Sequence, residues 1–289
     1  MQYQDEIKNW LSEYKTAHFK GLENGIWKRN KKQYSHILPI DNSLDNLLPN
    51  YKSELKDYIR TQKIKLHPDF HHLNSSQAMC LNMFYPLFKE KKLDLIVKAL
   101  NLDNDSVNYD SVCFEKESMI EKEKGYRPTS FDFYFRTNNG KEIHFEIKYT
   151  EQEFGKAKRD KEHFDKYESV YKKQCFAIDS KYCNCDSFLS NYQLMRNIIH
   201  VTENSYVVFL FPFSNIKIKQ QAEFAKSTLV KSDFQQNVIN LTWEYLLGFI
   251  DSIALDSEIL TKQMIDFKDK YKIKPSRQQR LIRHWGLGG

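Results

Sequence analysis

Asp132, Glu146 and Lys148 are the residues of this chain whose types and spacing best suit chemistry. They lie in the stretch Ser130-Phe131-Asp132-Phe133-Tyr134-Phe135-Arg136-Thr137, then Asn138-Asn139-Gly140, then Lys141-Glu142-Ile143-His144-Phe145-Glu146-Ile147-Lys148-Tyr149. Apolar and polar residues alternate on both sides of Asn138-Asn139-Gly140, the pattern of two half-buried strands joined by a tight loop. A three-residue loop ending in glycine fits a type I turn followed by a bulge, with Gly140 supplying the positive φ. Thr137 then pairs with Lys141, and counting back along both strands sets Asp132 opposite Glu146. Side chains alternate across a sheet, so Lys148 shares their face. Phe131, Phe133, Phe135, Ile143, Phe145 and Ile147 turn the other way, into a core.

Opposed Cβ atoms in a sheet are ~5 Å apart. Two carboxylates held that close repel unless a proton or a cation lies between them. A hard cation such as Mg²⁺ takes one or two carboxylates, waters and phosphate oxygens, and the Ile147 carbonyl could add another oxygen. Lys148 could orient or activate an attacking water, or steady a phosphate oxygen. Such a set suits hydrolysis of a phosphodiester. The Glu-x-Lys triplet alone is a weak signal, because it begins five times in the chain, at Glu6, Glu13, Glu54, Glu90 and Glu146. Only the last has alternating apolar neighbours and an aspartate opposite. The competing reading is a solvated face tied by Arg136–Glu142 and Asp132–Lys148 ion pairs. The heavily aromatic reverse face argues against it, since it needs a larger core to cover it.

The elements that must position these residues follow from periodicity. Ile7, Trp10, Leu11 and Tyr14 have helical spacing within residues 1–20, and residues 51–62 predict a second helix. Asn74-Ser75-Ser76-Gln77 reads as a helix start before an apolar run, and Leu93 to Leu100 is helical again. Ser111 to Glu115 predicts a short strand, and Tyr206 to Phe211 a strand buried on both faces. Residues 156–172, with Phe164, Tyr167 and Tyr171 on one side, and residues 191–200 predict helices. Trp243, Leu246, Leu247 and Ile250 form one stripe of a further helix. The order predicts an α/β core with a helical N-terminal extension and C-terminal helices. The corresponding divisions are a helical region at 1–105, the core at 106–255 and a basic helix or tail at 256–289.

Composition agrees with a folded enzyme-sized chain. The 289 residues are 40% apolar and include 20 Phe, 17 Tyr and 4 Trp, while Gly (9) and Pro (7) are scarce. Collagen-like and linker-like classes are excluded. No apolar run is long enough to span a membrane, and Asp5, Glu6 and Lys8 break any signal-peptide pattern at the start. Five scattered cysteines predict free thiols and a cytoplasmic setting. Cys183 and Cys185, with Cys175 nearby, lack the usual zinc spacing, as do His67, His71 and His72. The formal surplus of +6 is accounted for by residues 268–289, where Lys268, Lys270, Lys272, Lys274, Arg277, Arg280 and Arg283 face only Asp269. That end could hold nucleic-acid phosphates through Lys272, Lys274, Arg277, Arg280 and Arg283. It reads equally well as a solvated tail.

Ser130-Phe131-Asp132 and, after thirteen intervening residues, Glu146-Ile147-Lys148 resemble the motif of the PD-(D/E)xK nuclease superfamily, the restriction-endonuclease-like fold. Pro128 stands four positions before Asp132 rather than next to it. Glu146 to Glu151 with Phe154-Gly155, Ser75 to Ala78 with Leu81-Asn82, Gln193 to Asn197, Phe211 to Asn215 and Trp243-Glu244 resemble a little-characterised bacterial family within it. The resemblance implies an αβββαβ core in which Glu115 ends the first strand and the hairpin supplies the second and third. It implies Mg²⁺-dependent cleavage of DNA, with Mn²⁺ as a substitute, in a bacterial defence or restriction-like role. Asp132 and Glu146 would be metal ligands with the Ile147 carbonyl, and Lys148 the catalytic lysine. Glu115, Glu151, Gln193 and Arg196 are possible additional site residues. Repair, recombination or mobile-element processing would use the same chemistry, and a non-cleaving DNA-binding module the same fold. A homodimer or a partner subunit is open on this reading.

Overall fold

The computed structural model describes residues 2–102, 104–123 and 125–276. Contacts group the chain into two units, one of residues 1–101, 212–215 and 242–289 and one of 102–211 and 216–241.

The first unit is mainly helical. It holds α1 (Tyr3–His18), a small antiparallel hairpin β1 (Gly25–Trp27) and β2 (Lys32–Tyr34), α2 (Lys52–Thr61), α3 (Ser76–Lys89) and α4 (Asp94–Ala99). Helix α3 starts where Ser75 accepts a hydrogen bond from Ala78 N, and all residues from Gln77 to Leu87 are buried. A helix apolar on nearly every side must be wrapped by others. Asn82 on α3 accepts from Leu48 N and donates to Asn46 O and to the Tyr271 hydroxyl. Gln77 braces the preceding loop, accepting from His67 N and donating to Lys65 O.

The second unit is built on a mixed sheet. Its strands are β3 (Val107–Glu117), β4 (Ser130–Thr137), β5 (Glu142–Ile147), β6 (Ser205–Phe211) and β7 (Val238–Thr242), adjacent in that order. β3 pairs antiparallel with β4, β4 antiparallel with β5, and β5 parallel with β6. A parallel pair needs a long crossover. Here it carries α6 (Lys161–Lys166), a π-helical turn Tyr167–Tyr171, α7 (Cys185–Ser190) and α8 (Tyr192–Ile198). Short α5 (Met119–Lys122) follows β3, and α9 (Ile216–Phe224) follows β6. The predicted turn is present: Thr137 N bonds to Lys141 O, Gly140 N to Thr137 O, and Gly140 has φ +83°. Phe133, Phe135, Ile143 and Phe145 are fully buried, and Phe131 and Ile147 are 1% exposed.

Helices α10 (Trp243–Ile250) and α11 (Glu258–Tyr271) belong to the first unit. In it Lys270 is buried and donates to both oxygens of Asn46, and burial pushes its ammonium down to about 7.

Several expectations need correction. The first core strand runs from Val107 to Glu117, because Lys116 and Glu117 still pair with Phe131 and Ser130, while Val107 and Asn108 pair beyond a register shift. Residues 156–160 are not helical: Asp160 caps α6 by accepting from His163 N. Gly155 and Ala157 instead bond through their backbones to Gln193 and Leu189. Phe164 stays 40% exposed while Tyr167 and Tyr171 are buried, so the three do not form one covered stripe. Strand β7 and the β1–β2 hairpin were not anticipated. The thiols are not all free, since Cys175 is disulfide-bonded to Cys183. Among the described residues no helix is long and apolar enough to cross a membrane.

Candidate active site

Asp132 enters the site from the start of β4, Glu146 and Lys148 from the end of β5. The pairs Phe133–Phe145, Tyr134–His144, Phe135–Ile143 and Arg136–Glu142 have the register that carries Asp132 level with Glu146. An Asp132 oxygen (Oδ2) accepts from Ile147 N at 2.6 Å, which clamps the carboxylate across the two strands. Glu146 and Lys148 are 5% and 7% exposed. Lys148 Nζ lies 2.8 Å from Glu146 Oε1, so the lysine pairs with Glu146, where a surface reading expected Asp132. The other expected surface pair, Arg136–Glu142, is present at 2.7 Å.

Glu115 reaches the same place from β3. Phe114 pairs with Phe133 and Lys116 with Phe131, so Glu115 falls level with Asp132. Its φ of +54° is unusual for a residue with a side chain within a strand, a conformation that costs ~1–2 kcal/mol. Such strain persists where surrounding contacts impose it, and here Ser130 Oγ donates to Glu115 Oε2 at 3.0 Å. Three adjacent strands therefore bring Asp132 under the charges of both Glu115 and Glu146, with Lys148 paired to Glu146. Burial, with the charges of Glu146 and Glu115 added, pushes the Asp132 carboxyl well above the ordinary value near 3.8. Burial alone would depress the Lys148 ammonium, but Glu146, Glu151 and Asp132 outweigh it and raise the group above the usual lysine range.

Crossover helix α8 supplies the neutral donors. Gln193 Nε2 donates to Glu146 Oε1 at 2.7 Å, and Asn197 Nδ2 to Glu146 Oε2 at 3.2 Å. Gln193 Oε1 accepts from Lys148 Nζ at 3.1 Å and from Gly155 N at 3.0 Å. Lys148 Nζ also sits 5.1 Å above the Phe154 ring, a cation–π contact. Asn197 is a site contact that the sequence reading passed over. Its signal was its spacing, four residues from Gln193 and so on the same helix face. Phe154 was likewise missed.

The remaining candidates divide. Glu151 Oε2 accepts from Tyr149 N at 2.6 Å, which shapes the chain just beyond Lys148. Arg196 points away from Glu146 and bonds to Glu121 Oε1 through Nε and a terminal nitrogen, both at 2.7 Å. Spacing of three put it near Gln193 on the helix, but a buried acid on α5 claims its charge. Lys272 pairs with Glu6 at 2.8 Å and lies over the Trp10 ring. Lys274 is in the described chain, whereas Arg277, Arg280 and Arg283 lie outside the described residues.

The donor set suits a hard divalent cation. It is oxygen-rich: Asp132 and Glu146 stand level on adjacent strands beside the Ile147 backbone. Among the described residues no group of three or more His, Cys, Asp or Glu side chains is arranged to hold a metal ion. A cation here would complete its shell with backbone, water and substrate oxygens, as Mg²⁺ commonly does.

A mixed sheet with acids and a lysine gathered at strand ends is thus joined by independent information from the family to which the sequence conforms, one of restriction endonucleases. The chain belongs to the family described as restriction endonuclease associating with ARP (REase-ARP), whose model matches residues 8–272. No curated protein and no solved structure matches it. Family membership points to a phosphodiester hydrolase with DNA as substrate.

Proposed function

We propose that the chain is a divalent-metal-dependent DNA endonuclease of bacterial defence, with β3, β4, β5 and β6 and their helices as its restriction-endonuclease-like αβββαβ core. The observation that carries this reading is the register that sets Asp132 level with Glu146 on adjacent strands, with Lys148 paired to Glu146 at 2.8 Å. Asp132, Glu146 and the Ile147 carbonyl would hold Mg²⁺ or Mn²⁺, which when bound supplies Lewis-acid charge for phosphodiester hydrolysis.

The chain's own residues do the rest. Lys148 is held as a cation, so it acts by charge rather than as a base. Placed beside the scissile phosphate, it stabilises negative charge that grows as the pentavalent transition state forms. Gln193 holds Lys148 and Glu146 in one hydrogen-bonded unit, and Asn197 fixes the second oxygen of Glu146. Such supporting contacts set the orientation of acidic ligands. Asp132 is held in place by Ile147 N. The family's description also fits an enzyme that works beside a companion component.

The test is incubation of purified protein with supercoiled, linear and single-stranded DNA in Mg²⁺, Mn²⁺ or EDTA. Nicked, linearised or shortened products with either metal and none in EDTA are expected. Intact DNA of every form in both metals would overturn the proposal.

A further inference from the structure

The segment that leaves the active site is basic. After Phe154 and Gly155 the chain reads Lys156-Ala157-Lys158-Arg159-Asp160-Lys161, four cations against one acid. All but Ala157 are exposed. The segment is not a loose charge run, because it is fastened along its length. Gly155 N bonds to Gln193 Oε1 and Gln193 N to Gly155 O. Ala157 N bonds to Leu189 O, and Arg159 pairs with Asp186 at 3.0 Å and reaches Ser190 Oγ. Phe154, just before it, lies beneath the Lys148 ammonium. The segment therefore starts at the side chain that holds both Glu146 and Lys148.

Its charges are not equally engaged. Arg159 is committed to Asp186, and Lys156 lies 3.9 Å from Glu153. Asp160 is turned to its helix, accepting from His163 N and contacting His163 Nδ1. Lys158 and Lys161 make no hydrogen bond or ion pair within the described residues. We propose that residues 156–161 form a backbone-gripping rail for the substrate, with Lys158 and Lys161 binding the DNA phosphates beside the one being cut. This rests on the nuclease reading above and names a surface that it did not contain.

Reach supports the assignment. Extended chain covers at most ~3.3–3.6 Å per residue, so the Lys158 and Lys161 Cα atoms lie within about 11 and 22 Å of Gly155. One strand of duplex DNA presents a phosphate every ~3.4 Å of axis. Both lysines thus lie within about six such spacings of Gly155, which bonds to the Gln193 that holds Glu146 and Lys148. Phosphate contacts fix register without reading sequence, which is what an exposed, backbone-anchored lysine pair can supply.

The experiment measures equilibrium binding of the full chain to a mixed-sequence duplex in EDTA, across a salt series. Each phosphate contact contributes ~0.9 to the slope of log affinity against log salt. Lys158→Ala should weaken binding and flatten the slope by ~0.9, and Lys158→Ala with Lys161→Ala by ~1.8. Lys141→Ala, the same charge change at the hairpin turn far along β4 and β5, should leave the slope as it was. Thermal melting of each variant checks that it is folded. Unchanged slopes at Lys158 and Lys161 while the wild type binds would overturn the rail alone. An equal loss from Lys141→Ala would reduce it to a net-charge effect and overturn it too. A wild type that neither binds nor cuts DNA would overturn the nuclease reading with it.

Discussion

Two carboxyl groups of the sheet unit, the buried Glu121 and the half-buried Asp132, have opposite fates. Glu121 is fully buried, yet its carboxyl lies below the usual range. Burial pushes it up, but Arg196, Thr129 N, the Thr129 hydroxyl and the Tyr171 hydroxyl outweigh that. Asp132 also loses water, but its nearest charges include two more acids, so its carboxyl is pushed up. A compensated carboxylate is a structural rivet. An under-compensated one retains affinity for a proton or a cation. Helix α8 links Glu121 to the site, since its Arg196 is pinned by Glu121 while its Gln193 and Asn197 reach Glu146.

The largest effect expected is on the rivet. Glu121→Gln leaves Arg196 without its buried partner, and such changes cost ~3–5 kcal/mol. Denaturant unfolding should show that loss. A change under about 1 kcal/mol, the scale of an exposed pair, would erase the contrast between the two acids.

Next in size is the lysine. Lys148→Ala should lose at least ~100-fold in single-turnover cleavage while retaining most DNA affinity, since its contact strengthens as charge develops. Wild-type cleavage by the folded variant would make Lys148 a structural partner of Glu146 only.

A smaller effect is expected at the supporting amide. Asn197→Ala should weaken divalent-metal affinity by ~10–100-fold, the usual range for a group that orients a ligand. Calorimetric titration with Mn²⁺ checks this, and an unchanged affinity would restrict Asn197 to packing.

The smallest and most diagnostic differences are in pH dependence of metal-free protein. For Glu121 the folded value is lowered, so its stabilisation is present above the ordinary value near 4.5 and fades as pH falls through the folded value. Asp132 has the reverse sign. Its stabilisation is complete below the ordinary value near 3.8 and is lost as pH rises through the raised folded value. Unfolding free energies between pH 3 and 8 should therefore show Glu121→Gln flattening the acid limb. Asp132→Asn should gain on the wild type as pH rises. Parallel curves would contradict the assignment of opposite environments.

The β4–β5 hairpin was legible because local rules coincide there. Alternation, the Asn-Asn-Gly loop and the register all bear on neighbouring residues, so Phe133 opposite Phe145 followed from counting. The helices at residues 3–18, 52–61 and 76–89 were legible for the same reason, through periodicity and the Ser75 cap. Glu121 was invisible because its partners, Tyr171 and Arg196, lie far along the chain and only the fold unites them. Strand β7 has five residues, Val238–Thr242, too few to establish a period before helix α10 begins. The error at residues 156–160 has a tertiary origin: backbone bonds to Gln193 and Leu189 replaced those of a helix. Glu115 was legible as a strand-end acid, but neither its left-handed backbone nor the register that sets it level with Asp132 was.

The central claim is that Asp132 and Glu146, with the Ile147 carbonyl, hold a divalent cation. Calorimetric titration of Mn²⁺ into wild-type protein and Asp132→Asn, both shown folded, tests it most directly. The account predicts saturable binding by the wild type and affinity lower by at least ~10-fold in Asp132→Asn, the lower end for disturbing a metal site. Equal affinities, or no saturable binding by the wild type, would contradict it.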